Sequence, residues 1–205
     1  MKKLLIALIL LQHLAIGNSQ DKDNEKYMGN PMIADSSSIS GLIIPVLYKP
    51  YGIMIGDDIR FDHFADIIFY NNKTGSVKKL FNKDMYIKPF HFDYNPINSY
   101  HNTVYSSKWI FYFVKADYNN DEKIDKNDPY TIYVSDKKGE GLKSITQLNE
   151  NALSIDIYDK QGFALIKLQR DIDGNKKFSY NEWADFYYVR LDLNTLTLQD
   201  KINWP

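Results

Sequence analysis

The sequence contains no cysteine. Disulfides, zinc–thiolate sites and iron–sulfur clusters are therefore excluded, as is the cysteine through which a bacterial lipoprotein precursor is anchored to lipid. A chain without disulfides needs another source of stability if its core is modest. Bound metal is one candidate for that role.

The chain also lacks an excess of either charge. Its 25 Lys and Arg oppose 26 Asp and Glu, which gives a formal net charge of −1. A nucleic-acid-binding surface is usually basic, so we expect no nucleic-acid partner.

Long apolar runs are missing everywhere except at the N-terminus. There, Met1-Lys2-Lys3 precedes an apolar stretch over 4–16, and small residues follow at Gly17 and Ser19. This order predicts a signal peptide over 1–19, hence an exported protein that is periplasmic or secreted and not stably inserted in a membrane after cleavage. The alternative is an N-terminal membrane anchor, although the stretch is short for a span of about 20 residues.

After a polar segment over 20–40, which we expect to be a flexible or loosely docked lead-in, short alternating apolar runs dominate. Sixteen Tyr and eleven Phe add to the strand preference. Gly, Asn, Asp and Lys clusters separate the runs, as is typical of antiparallel sheets. We therefore predict one all-β domain over 41–205 with little helix beyond the signal peptide.

A pattern of strand, polar turn and strand recurs at 67–80, 131–145 and 186–198. We expect Tyr70, Tyr133 and Tyr188 to occupy equivalent places in these segments. The period has room for four strands, so the sequence predicts about three tandem four-stranded sheets, as a propeller-like or open blade array.

The segment 117–128 is rich in oxygen side chains at the spacing of a calcium loop. Positions 1, 3, 5, 9 and 12 carry such a side chain, position 7 supplies a backbone carbonyl, and apolar Ile124 is at position 8. Calcium prefers six to eight oxygen ligands, which this spacing supplies. The candidate ligands of this loop, called loop one below, are Asp117, Asn119, Asp121, the carbonyl of Lys123, Asp125 and Asp128.

The segment 171–182, called loop two below, repeats the pattern with Phe178 at position 8. Its position 12 is a Glu, which can bind calcium with both carboxylate oxygens. Two matches at equivalent points of a repeat are a stronger signal than one, although an acidic, solvated hairpin turn remains the alternative for each. The candidate ligands are Asp171, Asp173, Asn175, the carbonyl of Lys177, Ser179 and Glu182.

Both loops resemble the EF-hand calcium loop, and both depart from it at position 6. The glycine usual there is Glu122 in loop one and Lys176 in loop two. That position requires an unusual backbone angle, which costs a non-glycine residue about 1 kcal/mol. We therefore expect reduced affinity, as in extracellular calcium modules with dissociation constants of roughly 10⁻⁴–10⁻³ M.

The flanks of these loops are strands rather than EF-hand helices. The motif of Trp109 to Phe113, the acidic loop, and Tyr130 to Asp136 resembles the propeller repeats of the TolB-like family of exported bacterial proteins. The resemblance covers about 105–202 well and 42–81 loosely. It implies blades with calcium loops inserted in their hairpins. Dockerins carry similar loops, but in adjacent helical segments.

No nucleophile elbow, phosphate loop or zinc-protease motif is present in the sequence. A transition-metal site at His91, Asp93 and His101 has only weak support from spacing. The favoured function is a non-catalytic binding or structural scaffold that calcium stabilises, with an unidentified protein or glycan as ligand. The alternatives are a secreted hydrolase acting on an extracellular glycan or peptide, and a dockerin-like assembly module.

Overall fold

The structure is a computed structural model, and it describes residues 26–33, 41–48, 63–90, 106–178 and 186–202. Within these ranges the chain is all-β, which confirms the predicted fold class. One short 3-10 helix over Asp159–Gln161 is the sole helix of the described part. No helix there has the length and apolar character that crossing a membrane requires.

The twelve strands of the described residues form three antiparallel meanders of four strands each. Unit 1 contains β1 (Lys26–Met28), β2 (Gly41–Tyr48), β3 (Phe64–Asn71) and β4 (Val77–Lys79). Unit 2 contains β5 (Tyr86–Ile87), β6 (Trp109–Lys115), β7 (Tyr130–Asp136) and β8 (Lys143–Ser144). Unit 3 contains β9 (Glu150–Tyr158), β10 (Phe163–Arg170), β11 (Phe186–Asp192) and β12 (Thr197–Ile202).

Units 1 and 2 belong to one eight-stranded sheet, because Phe64 of β3 pairs with Ile87 of β5. Unit 3 is a separate four-stranded sheet in the order β12-β11-β10-β9. Three units of four strands agree with the repeat in the sequence, and the arrangement is compatible with an open blade-like array.

The alternation of side chains explains how the units pack. In β11, Tyr187, Val189 and Leu191 are buried, while Tyr188 and Arg190 between them are exposed. One face of this strand therefore joins the core and the other does not. In β6 of unit 2, six consecutive residues from Ile110 to Lys115 are buried, so both faces of the middle unit are covered.

Each unit ends its third strand in the same kind of turn. The side-chain Oδ1 of Asn71, Asp136 or Asp192 accepts two backbone N–H groups from the turn that follows it. Each turn also contains a residue with positive φ: Gly75 in the first, Gly139 and then Gly141 in the second, and Leu196 in the third. These Asx-type turns direct the chain into the fourth strand of the unit.

The tyrosines proposed as repeat markers do not have matching places in these turns. Tyr70 directly precedes its turn residue Asn71, whereas Tyr133 and Tyr188 precede Asp136 and Asp192 by three and four residues. The expectation that the tyrosines are equivalent is therefore wrong. The equivalent residues are the Asn and the two Asp that accept the turn hydrogen bonds.

The predicted signal peptide over 1–19 lies outside the described residues. Part of the 20–40 lead-in is described: Lys26–Met28 forms β1 and pairs with β2, and Met32 makes an isolated bridge to Ile43.

Candidate metal-binding loops

Both candidate loops connect the second and third strands of their units. Loop one joins β6 to β7, and loop two joins β10 to β11. The described part of loop two ends at Phe178, so Ser179 and Glu182 lie outside the described residues. Neither loop has a helix at its entrance.

The two loops share a hydrogen-bond pattern, position by position. The carboxylate at position 1 accepts the N–H of position 6, at 3.1 Å from Glu122 to Asp117 and at 2.9 Å from Lys176 to Asp171. The side-chain oxygen at position 3 accepts the N–H of position 5, at 2.9 Å in each loop. The oxygen at position 5 accepts the N–H of position 7, at 2.9 Å in loop one and 2.7 Å in loop two.

These bonds fold the backbone around the side chains at positions 1, 3 and 5. In loop one those residues are Asp117, Asn119 and Asp121, and in loop two they are Asp171, Asp173 and Asn175. A carboxylate oxygen that accepts one N–H retains acceptor capacity for a cation. The shared bonds therefore leave an all-oxygen set of the kind that hard divalent cations bind.

The backbone angles also match between the loops. Position 6 has positive φ in both, 65° at Glu122 and 60° at Lys176. Position 4 does as well, 59° at Asn120 and 70° at Gly174. Three of these four residues are not glycine, so each pays a steric penalty of about 1 kcal/mol or more for its conformation. Both loops thus adopt the turn that their side-chain spacing requires despite unfavourable residues at position 6.

Loop one is closed by its last carboxylate. Asp128 is buried, and its Oδ1 and Oδ2 accept the N–H groups of Tyr118 at 3.2 Å and Asp125 at 2.8 Å. Burial raises the pKa of this carboxyl group, and the two backbone donors oppose that rise. The side chain of Lys115 also donates to the Asp128 carbonyl at 2.6 Å. Asp128 is therefore already engaged in holding the loop together.

In loop two, one carboxylate oxygen takes no part in the hydrogen bonds that hold the loop together. Oδ1 of Asp171 is buried, and within the described chain it has no hydrogen-bond partner. An unpaired buried acceptor is costly, and a bound cation would satisfy it. By this test, the described residues of loop two fit calcium better than those of loop one.

The loops touch one another through Phe178. Its backbone N–H donates to the carbonyl of Asn127 in loop one at 3.0 Å. Its ring is buried and lies 6.0 Å from the ring of Tyr118 between centroids. The apolar residue at position 8 of loop two thus packs against loop one.

Among the described residues, no three His, Cys, Asp or Glu side chains gather into a group that could hold a metal ion. Four of the six predicted ligands of loop one are carboxylates, and in this structure no three of them come together at one point. The possible site at His91, Asp93 and His101 lies outside the described residues.

A polar cavity of about 470 Å³ beside loop two was missed by the sequence reasoning. Its wall includes Tyr187, whose hydroxyl donates to Glu150, and the cations of Arg170 and Lys201 lie 4.5 and 4.4 Å from the Tyr187 ring centroid. Its described carboxylates are Glu150 and Asp171, and Asp171 belongs to loop two. Glu150 is therefore the one described carboxylate of this wall that lies outside the loops.

No family model matches this chain, and no curated protein matches it.

Proposed function

We propose that this chain is an exported calcium-binding β-repeat protein, in which calcium held by the two loops stabilises a non-catalytic binding or structural scaffold. The observation that carries the proposal is the common geometry of loops one and two. They occupy the same place in successive units, and they share three hydrogen bonds and two positive φ angles.

A solvated acidic turn does not require this agreement. The side chains at positions 1, 3 and 5 are those that an oxygen-coordinated cation would bind, with the carbonyls of Lys123 and Lys177 following at position 7. The buried Oδ1 of Asp171 adds a group whose missing partner a cation would replace. The TolB-like resemblance and the export signal remain parts of the proposal that rest on the sequence.

The site suits a structural role better than a switching role. Sensor calcium loops act by moving two flanking helices, whereas each loop here joins two strands of one sheet. Bound calcium would hold the hairpin and, through Phe178, the neighbouring loop. Because the chain has no disulfide, these contacts would supply part of its cross-linking.

Calcium titration by calorimetry, with thermal melting followed in parallel, tests the proposal. A ligand that binds only the folded state adds RT ln(1 + [L]/Kd), about 2.7 kcal/mol at one hundred times Kd. Chelation should lower the melting temperature, and added calcium should restore it. Asp171→Asn should reduce the calcium effect, whereas Asp156→Asn, an exposed change in β9 outside both loops, should not.

Identical melting curves in chelator and in millimolar calcium would refute the stabilising role. A calcium effect that Asp171→Asn leaves intact would show that the ion binds elsewhere.

A further inference from the structure

Among the described residues, the terminal units of the array each have one face that no other unit covers. In unit 3, the buried residues Tyr187, Val189 and Leu191 point to the core, and the alternate positions point away from it. In unit 1, Ile43 and Pro45 of β2 are buried, whereas Leu42, Ile44 and Val46 are half-buried. The middle unit differs, since β6 is buried on both faces.

Within the chain, successive units meet through a repeated contact. On unit 1, the face that carries Phe69 covers the third-strand turn of unit 2: a Cβ on Gly139 would lie 2.6 Å from the Phe69 ring. Lys78, which pairs with Phe69 across the sheet, donates to the Gly139 carbonyl at 2.8 Å.

The same relation joins unit 2 to unit 3. Lys143 pairs with Val134, and its Nζ lies 3.5 Å from the carbonyl of Leu196 in the third-strand turn of unit 3. Trp109 lies on the same face as Val134 by the strand register and donates to the Leu193 carbonyl of that turn at 2.7 Å. Phe69 and Val134 each stand two residues before their turn residues, Asn71 and Asp136.

The residue of unit 3 that is equivalent to Phe69 and Val134 is Arg190, because it stands two residues before the turn residue Asp192. Arg190 lies on the open face of unit 3. The strand register places several apolar side chains on the same face. Tyr188 is 37% exposed and its cross-strand partner Ile202 is 51% exposed. We call this surface the outward face of unit 3; its members include Tyr158, Phe163, Leu165, Lys167, Tyr188, Arg190 and Ile202, and the same register adds Ser154, Asp156 and Asp192.

At the other end of the array, the third-strand turn of unit 1 is uncovered. A Cβ on Gly75 would have nothing within 4 Å among the described atoms. Tyr70 and its cross-strand partner Val77, which is 64% exposed, lie beside this turn. We call this surface the outward face of unit 1; its members include Leu42, Ile44, Val46, Ile68, Tyr70 and Val77, and the same register adds Met28, Asp66 and Lys79.

We propose that the outward face of unit 3 packs on the outward face of unit 1 of a second copy of this chain, repeating the contact that joins successive units within the chain. The two surfaces are different, so the interface is heterologous and closes into a ring when the rotation between copies permits. Two copies form the smallest such ring. The distribution of the large exposed apolar side chains supports a second copy of the chain as the partner. Among the described residues, none of these side chains lies in a strand of unit 2, the middle unit, which is covered on both faces.

Sedimentation velocity of the purified protein tests the interface. The wild type should sediment as a discrete species of at least two chains. Tyr188→Glu, on the outward face of unit 3, and Val77→Glu, on that of unit 1, should each raise the dissociation constant at least about tenfold, because each change replaces an apolar contact by a charge that the interface would have to desolvate. Leu148→Glu is the matched control: Leu148 is 50% exposed but lies between β8 and β9, outside both faces, so assembly should persist.

Mixing the two variants tests that the interface joins unlike faces. Tyr188→Glu protein retains an intact unit 1 face and Val77→Glu protein an intact unit 3 face, so the mixture should form a two-chain complex that neither variant forms alone. Circular dichroism of each variant establishes that it is folded. A wild type with the mass of one chain, or a folded single variant that still assembles like the wild type, would overturn the proposal.

Discussion

Replacement of Phe178 by Ala tests whether the packing between the two loops contributes to stability. Phe178 is 7% exposed, and its ring lies against Tyr118. A fully buried Phe→Ala change costs about 3–5 kcal/mol in lost transfer energy and in the cavity that remains. Because this site lies between two loops, where neighbours can partly close the gap, we expect the low end of that range, about 3 kcal/mol.

For a chain of this size, each kcal/mol corresponds to a shift of roughly 2–4 °C in melting temperature. The expected decrease for Phe178→Ala is therefore about 6–12 °C, measured by calorimetry or by circular dichroism. The backbone hydrogen bond from Phe178 to Asn127 does not need the ring, and leucine keeps an apolar side chain at this position. Phe178→Leu should therefore keep more than half of the stability that Phe178→Ala loses.

Ile172→Ala is the matched control in the same loop. Ile172 is 58% exposed, so its loss should change the free energy of unfolding by no more than about 0.5 kcal/mol. If Phe178→Ala melts at the same temperature as Ile172→Ala, the ring does not stabilise the contact between the loops, and the reasoning is refuted.

Three further predictions concern the loops and the core. Glu182→Ala should weaken calcium binding more than Asp128→Ala in a calorimetric titration. Both oxygens of Asp128 already accept backbone N–H groups, whereas a Glu at position 12 can bind calcium with two oxygens. Equal losses of affinity in the two variants would contradict this prediction. Circular dichroism should retain its β character with and without calcium, and a large gain of helix would revive the dockerin reading. Burial raises the pKa of Asp66 above its ordinary 3.8, so the folded state holds this proton more tightly than the unfolded chain does. The stability of the wild type relative to Asp66→Asn should therefore fall as pH rises from below 3.8 through the raised pKa, a trend that exposed Asp200→Asn should not reproduce in denaturant titrations.

Strand positions followed closely from the sequence where composition and turns agree. In unit 3, β10 (Phe163–Arg170) coincides with one of the alternating apolar runs, and β9 begins three residues before Leu153, where its apolar run starts. The loop spacing likewise pointed to the positive φ angles at Glu122 and Lys176, because the position 6 turn is a local backbone requirement. Alternation and turn chemistry depend on neighbours within a few residues, which a single sequence contains.

The predicted equivalence of the three tyrosines was wrong because local chemistry does not fix the place of an aromatic residue within a strand. An aromatic residue can occupy several positions of a strand at similar cost, whereas a turn requires its Asx acceptor at one place. The sequence also did not indicate that Tyr187, Arg170 and Lys201 meet at one cavity, since they come from three strands whose register is set by pairing.

By itself, the sequence determined the all-β class, the three-unit repeat and the oxygen spacing of both loops, because these arise from periodicity and local turn chemistry. The tertiary structure decided that Phe178 of loop two touches loop one, and that Asp128 is held by backbone donors while an oxygen of Asp171 is not. It also decided that the described part of the chain leaves the outward faces of units 1 and 3 uncovered. Those features depend on how separate sheets pack, and packing is set by contacts between residues far apart in the chain.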